Sequence, residues 1–316
     1  MGHNLKLLIR ETSNITAFED LKNIEYIIGD VQDIESLHKA AERVDLIYHL
    51  AAYTRKWAKD KALWEKVNII GTENLANIAL EKNKRLIYVS SFAALGPNSD
   101  GTGIPIDETF EHEGFFCLEY ERTKHFALKK IKEFVKKGLK TIIFYPGMVY
   151  GPGDWNIFGE MLYDIVRGKF LGLAGKGESI GSISYLDDII EGLVSVVERN
   201  DLDGEDFILG GENIAFGDYL DLIAEIAKVK KPRHFPMWGG YSYGLLCEVK
   251  SKISKKEPYI TRAVIDVLKY NWALSSKKAF DKLGYKITPL REGLEKTIAW
   301  YKDYLEKNKK NKTKKK

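Results

Sequence analysis

Five short runs, Leu5–Ile9, Tyr26–Ile28, Leu46–Leu50, Leu86–Val89 and Thr141–Tyr145, are apolar on successive rather than alternate positions. That pattern suits strands covered on both faces. Between them lie stretches with helical spacing, Ile34–Arg43, Ala62–Lys82 and Leu118–Lys137. Asp33 is placed to cap the first, and Gly138 to end the third in a left-handed conformation. Strands alternating with helices predict a parallel, doubly wound α/β sheet. Beyond Gly151 the pattern changes. Helices are expected around 157–167, 187–199, 217–228 and 290–306, with one late strand at Phe207–Gly211. The expected organisation is a nucleotide-binding region over 1–150, a smaller and mostly helical substrate-binding region over 151–306 that returns segments to the sheet, and a disordered lysine-rich end at 307–316.

Charge changes this picture only at the end of the chain. The 316 residues carry a net charge of +4, but 307–316 holds seven lysines and no acid, so the rest of the chain stands at −3. Nothing in a mildly acidic body suggests a general nucleic-acid binder. The basic end reads as a solvated, solubilising segment, with a weak anchor for RNA or anionic lipid as the alternative. Two cysteines, Cys117 and Cys247, are too few for a disulfide framework, which points to a reducing, cytoplasmic setting. No apolar run approaches the ~20 residues that span a bilayer. The six histidines and two cysteines show no metal-ligand spacing, so no metal site is expected.

The candidate chemistry centres on Tyr120 and Lys124, four apart on one face of a predicted helix. A free phenol has a pKa of about 10, and a nearby ammonium is expected to lower it. Tyr120 is then able to exchange a proton with a substrate oxygen while hydride moves at the adjacent carbon. Ser90 and Ser91 follow a buried strand directly, where ligands bind in parallel sheets, and Ser91 is placed to orient the reacting oxygen. His49-Leu50-Ala51-Ala52 ends another strand in small residues that let a ligand approach the backbone, although the histidine reads equally well as core. Asp30 closes an earlier strand, where it either accepts from an adenine amino group or caps a turn. Asn68 lies in a helical run despite its poor propensity, which suggests a buried hydrogen-bonding role.

With these residues in view, the chain resembles the extended short-chain dehydrogenase/reductases, the NAD-dependent epimerase/dehydratase family, and within it the dihydroflavonol-4-reductase-like branch. The matching pieces are Gly29-Asp30, His49–Ala52, Asn68 with Gly71–Leu75, Ser90-Ser91 with Gly96-Pro97, Tyr120/Lys124, Pro146–Asp154, Tyr185–Asp188, and Leu283–Tyr285 with Trp300. They cover nearly the whole chain in the family's order. The resemblance implies a Rossmann-type fold and Ser91, Tyr120 and Lys124 as the catalytic set. It also implies cofactor contacts from Asp30, Val31, Leu50, Ala51, Ala52, Asn68, Tyr120, Lys124, Pro146 and Val149. Pairing of two copies through the helices at 62–82 and 118–137 is implied as well.

The departure is at the front. A dinucleotide fold expects a strand, a glycine-rich turn and a helix before the residue that reads the ribose. Here Leu5–Ile9 resembles the second strand and Arg10 stands at its end, so the first strand and phosphate loop are missing. The sheet is expected to show two unpaired edges where that strand belongs. The expectation is a natural form with an upstream extension; the alternative is a genuine fragment. Gly175-Lys176-Gly177 has the wrong place and spacing for the phosphate turn and reads as a substrate-side loop.

Arg10 points to NADP, because an arginine accommodates the 2′-phosphate where an acid would read NAD; NAD stays open. Phe92-Ala93-Ala94 after Ser91 lacks the carboxylates that the family's sugar dehydratases carry there. Tyr53, Phe92, Phe115, Phe116, Cys117 and Tyr150 predict an apolar substrate pocket, with Tyr53, Ser91, Phe92 and Tyr150 as substrate contacts. The expected activity is NAD(P)-dependent reduction of a carbonyl, or oxidation of an alcohol, on a small apolar substrate. A nucleotide-sugar epimerase and a non-enzymatic or vestigial cofactor binder are the alternatives.

Overall fold

The computed structural model describes residues 2–100 and 102–313, with side chains to 308. In chain order the nucleotide-side elements are β1 Leu5–Ile9, β2 Ile24–Ile28, α1 Ile34–Ala40, β3 Leu46–His49, α2 Ala62–Trp64, a π-helical segment Glu65–Ile70, α3 Gly71–Glu81, β4 Arg85–Val89, α4 Phe92–Leu95, α5 Glu119–Lys136 and β5 Thr141–Pro146. There follow β6 Met148–Tyr150, α6 Ile157–Val166, β7 Leu173–Ala174, β8 Ile180–Tyr185, α7 Leu186–Val194, β9 Asp206–Leu209, β10 Glu212–Ala215 and α8 Phe216–Ala227. The last are β11 His234–Phe235, α9 Met237–Ser254, α10 Arg262–Val267, α11 Lys277–Leu283 and α12 Leu290–Thr313.

The main sheet has the order β3-β4-β5-β9, all parallel, with Leu86 opposite Thr141 and Phe144 opposite Phe207. Its strands are apolar except at their ends, where Arg85, Thr141, Asp206 and His49 stand, because both faces are covered. Leu86, Tyr88, Ile143 and Tyr145 point into a core shared with Ala76 of α3 and Ile131 of α5. The intervening Ile87, Ile142 and Phe144 point into a second core with Ile189 of α7 and Tyr285. This period of two sets which helix each strand residue meets. The expected doubly wound sheet is therefore present.

β1 and β2 pair with each other in parallel but not with the main sheet, so β1 and β3 each present an edge that is unpaired among the described residues. Two unpaired edges were the expectation. The pair is held instead by side chains: Leu8, Val31 and Leu37 join the same core as Leu75 and Leu86. Gly29 makes the join close, since a Cβ there would fall 2.3 Å from that of Ser36. Asp33 caps α1 by accepting from the Glu35 N–H at 3.1 Å, and Gly138 follows α5 with φ +98°, both as the sequence suggests.

The later region holds more strand than expected. β8 lies between β10, antiparallel, and β6, parallel, over a third core built with α6, α8 and α12. The expected late strand is β9, on the edge of the main sheet next to β5. The final helix runs on to Thr313, well into the stretch expected to be disordered; residues 314–316 lie outside the described residues. Lysine is a fair helix former, and its charge suits a helix C-terminus.

Candidate active site

The carboxyl ends of the parallel strands carry most of the expected site. Asp30 and Val31 follow β2, Leu50–Ala52 follow β3, Ser91 follows β4 and Pro146 ends β5. Ser91 has extended backbone (φ −170°) and caps α4, its Oγ accepting from the Ala93 N–H at 3.2 Å. Tyr120 and Lys124 lie in the first turns of α5. Tyr120 is half-buried, and Ser91 is the polar side chain facing its phenol. Ser91, Tyr120 and Lys124 thus meet at the end of β4.

The electrostatics differ from expectation. Burial raises the pKa of Tyr120, where a lowering was expected, and the Ser91 hydroxyl only partly opposes it. The lysine arm runs into the core, donates from Nζ to the Val89 carbonyl at 3.0 Å, and sits 4.9 Å above the Tyr88 ring. Buried to 3% exposure, its ammonium is held down to about 7 by desolvation. Sharing a helix face with Tyr120 leaves the longer lysine arm free to reach on to the backbone of β4.

Other expected residues have places of their own. Asp30 accepts through one oxygen from the backbone and side chain of Gln32, at 2.9 and 3.0 Å. Val31 is buried, and Leu50 is 62% exposed beside Ala51 and Ala52. Arg10 is exposed at the end of β1 and forms no ion pair among the described residues. Val149 is half-buried in β6. His49 belongs to the core: Nε2 meets Thr72 Oγ1 at 2.8 Å, and burial, then the charge of Lys124, holds it neutral down to about 3.

Two expectations are corrected. Asn68, read as a cofactor contact, has its amide fully engaged within the protein. It accepts from the Tyr53 N–H at 2.7 Å and donates to the Tyr53 carbonyl and Thr123 Oγ1, at 3.2 and 3.0 Å. It stands in the π-helical segment and braces the loop after β3 against α5, so it is a positioning residue. Tyr150, read as a substrate contact, is 1% exposed, packs against Tyr185 and points its hydroxyl at the Leu290 carbonyl. It is core, because β6 enters the third hydrophobic cluster rather than the cleft.

Of the remaining expected substrate contacts, Phe92 is half-buried and meets Trp272 edge-on at 5.4 Å. Tyr53 meets Trp64 the same way at 5.4 Å and donates to the Trp57 carbonyl. Phe115 lies against Tyr270 and Phe116 against His112. Glu121 was missed. It is buried beside Tyr120, accepts from the Cys117 N–H at 2.7 Å, and is pushed up to about 7 by burial against the pull of that bond. Its position early in a helix, reaching back to the preceding backbone, was the available signal.

Gly175–Gly177 borders a cavity of about 1040 Å³ together with Phe235, Met237 and Asn271. None of Ser91, Tyr120 or Lys124 lines it. It adjoins them through Asn271, whose neighbour Trp272 packs on Phe92. The loop is therefore not a phosphate turn.

This geometry can be set beside known proteins. The family model for the NAD dependent epimerase/dehydratase family matches residues 2–210. The chain belongs to that family. Membership makes it an NAD-dependent enzyme of the oxidoreductase or epimerase type. It is 22% identical over 313 residues, 96% of this chain and 89% of the relative, to a putative dihydroflavonol 4-reductase of Synechocystis sp.. The crystal structure of gox2253 aligns with a TM-score of 0.79 at 34% identity, covering 96% of this chain and 92% of that one. A UDP-glucuronic acid 4-epimerase from Bacillus cereus, solved with UDP-glucuronic acid and NAD, shares the fold with a TM-score of 0.73 at 23% identity over 95% and 90% of the two chains.

The family's dinucleotide fits these residues in part. A phenol, a serine hydroxyl, a buried lysine with N–H groups to spare and a carboxylate with a free oxygen are suitable donors and acceptors for its nicotinamide and adenosine ends. The described residues offer no glycine-rich turn at a helix N-terminus between β1 and β3 for the pyrophosphate.

Proposed function

We propose that this family member reduces a carbonyl, or oxidises the corresponding alcohol, on a small apolar substrate. One observation carries the reading: the Tyr120 phenol faces Ser91 at the carboxyl end of β4 and is held protonated by burial. A neutral phenol is the right state to donate a proton to a carbonyl oxygen as negative charge develops on it. Ser91 then orients that oxygen with a second hydrogen bond. When bound, the nicotinamide supplies or accepts the hydride. Lys124, with a pKa of about 7, changes charge near neutrality and is suited to returning the proton through the ribose side of the site. The aromatic surroundings of Phe92 and Phe115 favour a flat, apolar substrate, and the dihydroflavonol reductase relative supports that class.

The finer parts of the reading rest on single features. NADP over NAD follows from the exposed, unpaired Arg10. Asp30, Val31, Leu50–Ala52, Pro146 and Val149 are the proposed cofactor contacts, and Tyr53 and Phe92 the proposed substrate contacts. Two free cysteines fit a reducing, cytoplasmic compartment, and pairing through α3 and α5 is the proposed dimer mode. The epimerase reading is favoured by the UDP-glucuronic acid epimerase neighbour, and against it stand the aromatic side chains of Phe92 and Phe115.

The test is turnover of the full chain with NADPH and with NADH against a panel of cyclic and aromatic ketones, run beside UDP-sugars. Net NADPH consumption supports the proposal; redox-neutral conversion of a UDP-sugar replaces it with the epimerase, and cofactor binding with no turnover of any kind replaces it with the non-enzymatic reading. Tyr120→Phe is expected to lower kcat by about 10²–10⁴ with unchanged cofactor affinity. A rate near wild type removes the tyrosine's role.

A further inference from the structure

Helix α9 presents an apolar stripe to the outside. Trp238, Leu246 and Ile253 are 73%, 67% and 80% exposed, and Leu245 and Val249 are about half exposed. At about 100° per residue, these five side chains fall within roughly one third of the helix circumference. The helix is not free to roll them inward. Its opposite face carries Gly240, Gly244 and buried Ser251, packed so closely that a Cβ on Gly240 would lie 2.6 Å from Ala174 Cβ and one on Gly244 3.0 Å from the Arg262 backbone. The inner face is small rather than apolar, and the bulk is outside.

Charge flanks the stripe on both sides. On the same helical wheel Lys252 borders one edge and Lys250 the other, and Lys255 and Lys256 follow the last turn. None of these four has a carboxylate within 4.0 Å among the described residues. The neighbouring acids are engaged: Glu248 with Arg262 at 2.9 Å and Asp266 with Lys269 at 2.7 Å.

We propose that this face of α9 docks on an anionic phospholipid bilayer, lying in the headgroup plane with the stripe in the acyl boundary and the lysines among the phosphates. An apolar face with a tryptophan, bordered by lysines, is the chemistry of an interfacial helix. The helix does not cross: among the described residues no helix is long and apolar enough to do so. A second copy of the chain fits less well, because the carboxylates beside this face, Glu248 and Asp266, are already paired and leave its lysines nothing to meet on an identical face. Trp238 follows directly on Phe235, Pro236 and Met237, which line the 1040 Å³ cavity, so docking sets that cavity's wall beside the lipid. The surface stands whatever reaction the site catalyses.

The test is flotation of the full chain with vesicles of phosphatidylcholine alone and of equimolar phosphatidylcholine and phosphatidylglycerol, with sedimentation velocity in parallel. Partition onto the anionic vesicles is expected to exceed that onto neutral ones about tenfold and to weaken with salt. Trp238→Ser, Leu246→Ser and Ile253→Ser combined are expected to cut it at least about tenfold while leaving the circular dichroism spectrum and melting curve intact. Lys250→Glu with Lys252→Glu removes the preference for anionic lipid. Equal vesicle partition of wild type and the triple variant overturns the proposal. So does a wild-type dimer that the triple variant converts to monomer with no vesicle binding by either, which assigns the face to a second copy.

Discussion

Replacing Lys124 by Met should make the protein more stable and inactive, and the gain should depend on pH in a stated direction. Lys124 is 3% exposed, and its ammonium falls from its ordinary 10.5 to about 7 through desolvation. At 1.36 kcal/mol per pH unit, that fall corresponds to a folded-state penalty on the charge of about 5 kcal/mol. The penalty is present in full below pH 7, where both states are charged. Between about 7 and 10.5 the unfolded chain holds the proton and the folded chain does not, so wild-type stability rises with pH through that window. By pH 9 the remaining penalty is about 2 kcal/mol. Met has a similar length and no charge, but it gives up the bond to the Val89 carbonyl and the contact with the Tyr88 ring. Those losses cost about 1 kcal/mol each. The net expectation is a variant more stable by about 3 kcal/mol at pH 6 and indistinguishable from wild type near pH 9. Urea unfolding of both proteins at the two pH values measures this directly, and titrations away from Lys124 cancel in the difference, while His49, held neutral mainly by burial, stays uncharged at both pH values. A variant no more stable than wild type at pH 6, or one with the same gain at both pH values, refutes the reasoning.

Three further outcomes follow from the same geometry. Glu121→Gln should stabilise by about 2 kcal/mol at pH 8 and not at pH 4, because a carboxyl raised from 4.5 to about 7 loses folded-state stability as pH rises through that interval; denaturant midpoints at the two pH values check it. Asn68→Ala strands the backbone N–H and carbonyl of Tyr53 and removes a donor from the Thr123 oxygen, whose hydroxyl keeps its bond to the Glu119 carbonyl, so it should cost about 2–4 kcal/mol in urea unfolding, and a loss under 1 kcal/mol rejects its bracing role. Tyr150→Phe gives up only a 3.4 Å contact, so KM should be unchanged and stability should move by less than about 1 kcal/mol; a severalfold rise in KM returns Tyr150 to the substrate site.

Legibility in the sequence followed the covering of each element. Of the five apolar runs, β4 and β5 were readable because both faces are covered by protein, whereas β1 and β2 stay partly exposed, Leu5 at 48% and Ile28 at 55%, and were legible from their strand-forming residue types. β8 was not, because Ser182 and Ser184 are fully buried yet polar, their hydroxyls bonding Gly211 and Leu209 across to the next segment. A Gly-Ser-Ile-Ser run reads as a loop until those partners are known. Helix α9 inverts the usual rule, with small residues inside and large apolar ones outside, so its amphipathic pattern carries no core signal. At the candidate site, the grouping of Ser91, Tyr120 and Lys124 at the end of β4 was legible from residue type, spacing and place after a strand. Asn68 was marked correctly as a buried hydrogen-bonding residue, but its partners are tertiary, and tertiary partners decide between ligand contact and brace.

The protonation states form the part that no motif carries. Lys124, Glu121, His49 and Tyr120 lie around the end of β4 and the first turns of α5, and burial drives each toward its neutral form: the carboxyl and phenol upward, the lysine and histidine downward. Neutralisation by neighbouring opposite charges would leave ion pairs, and the described ion pairs include none of these four residues. The region is therefore a low-dielectric pocket in which a single added charge is felt strongly. A catalyst whose substrate develops negative charge on one oxygen gains from such surroundings, since the proton of Tyr120 is then the nearest available source of neutralisation. The same desolvation makes the site a weak point of stability, and removing its lysine is expected to strengthen the fold as it silences the chemistry.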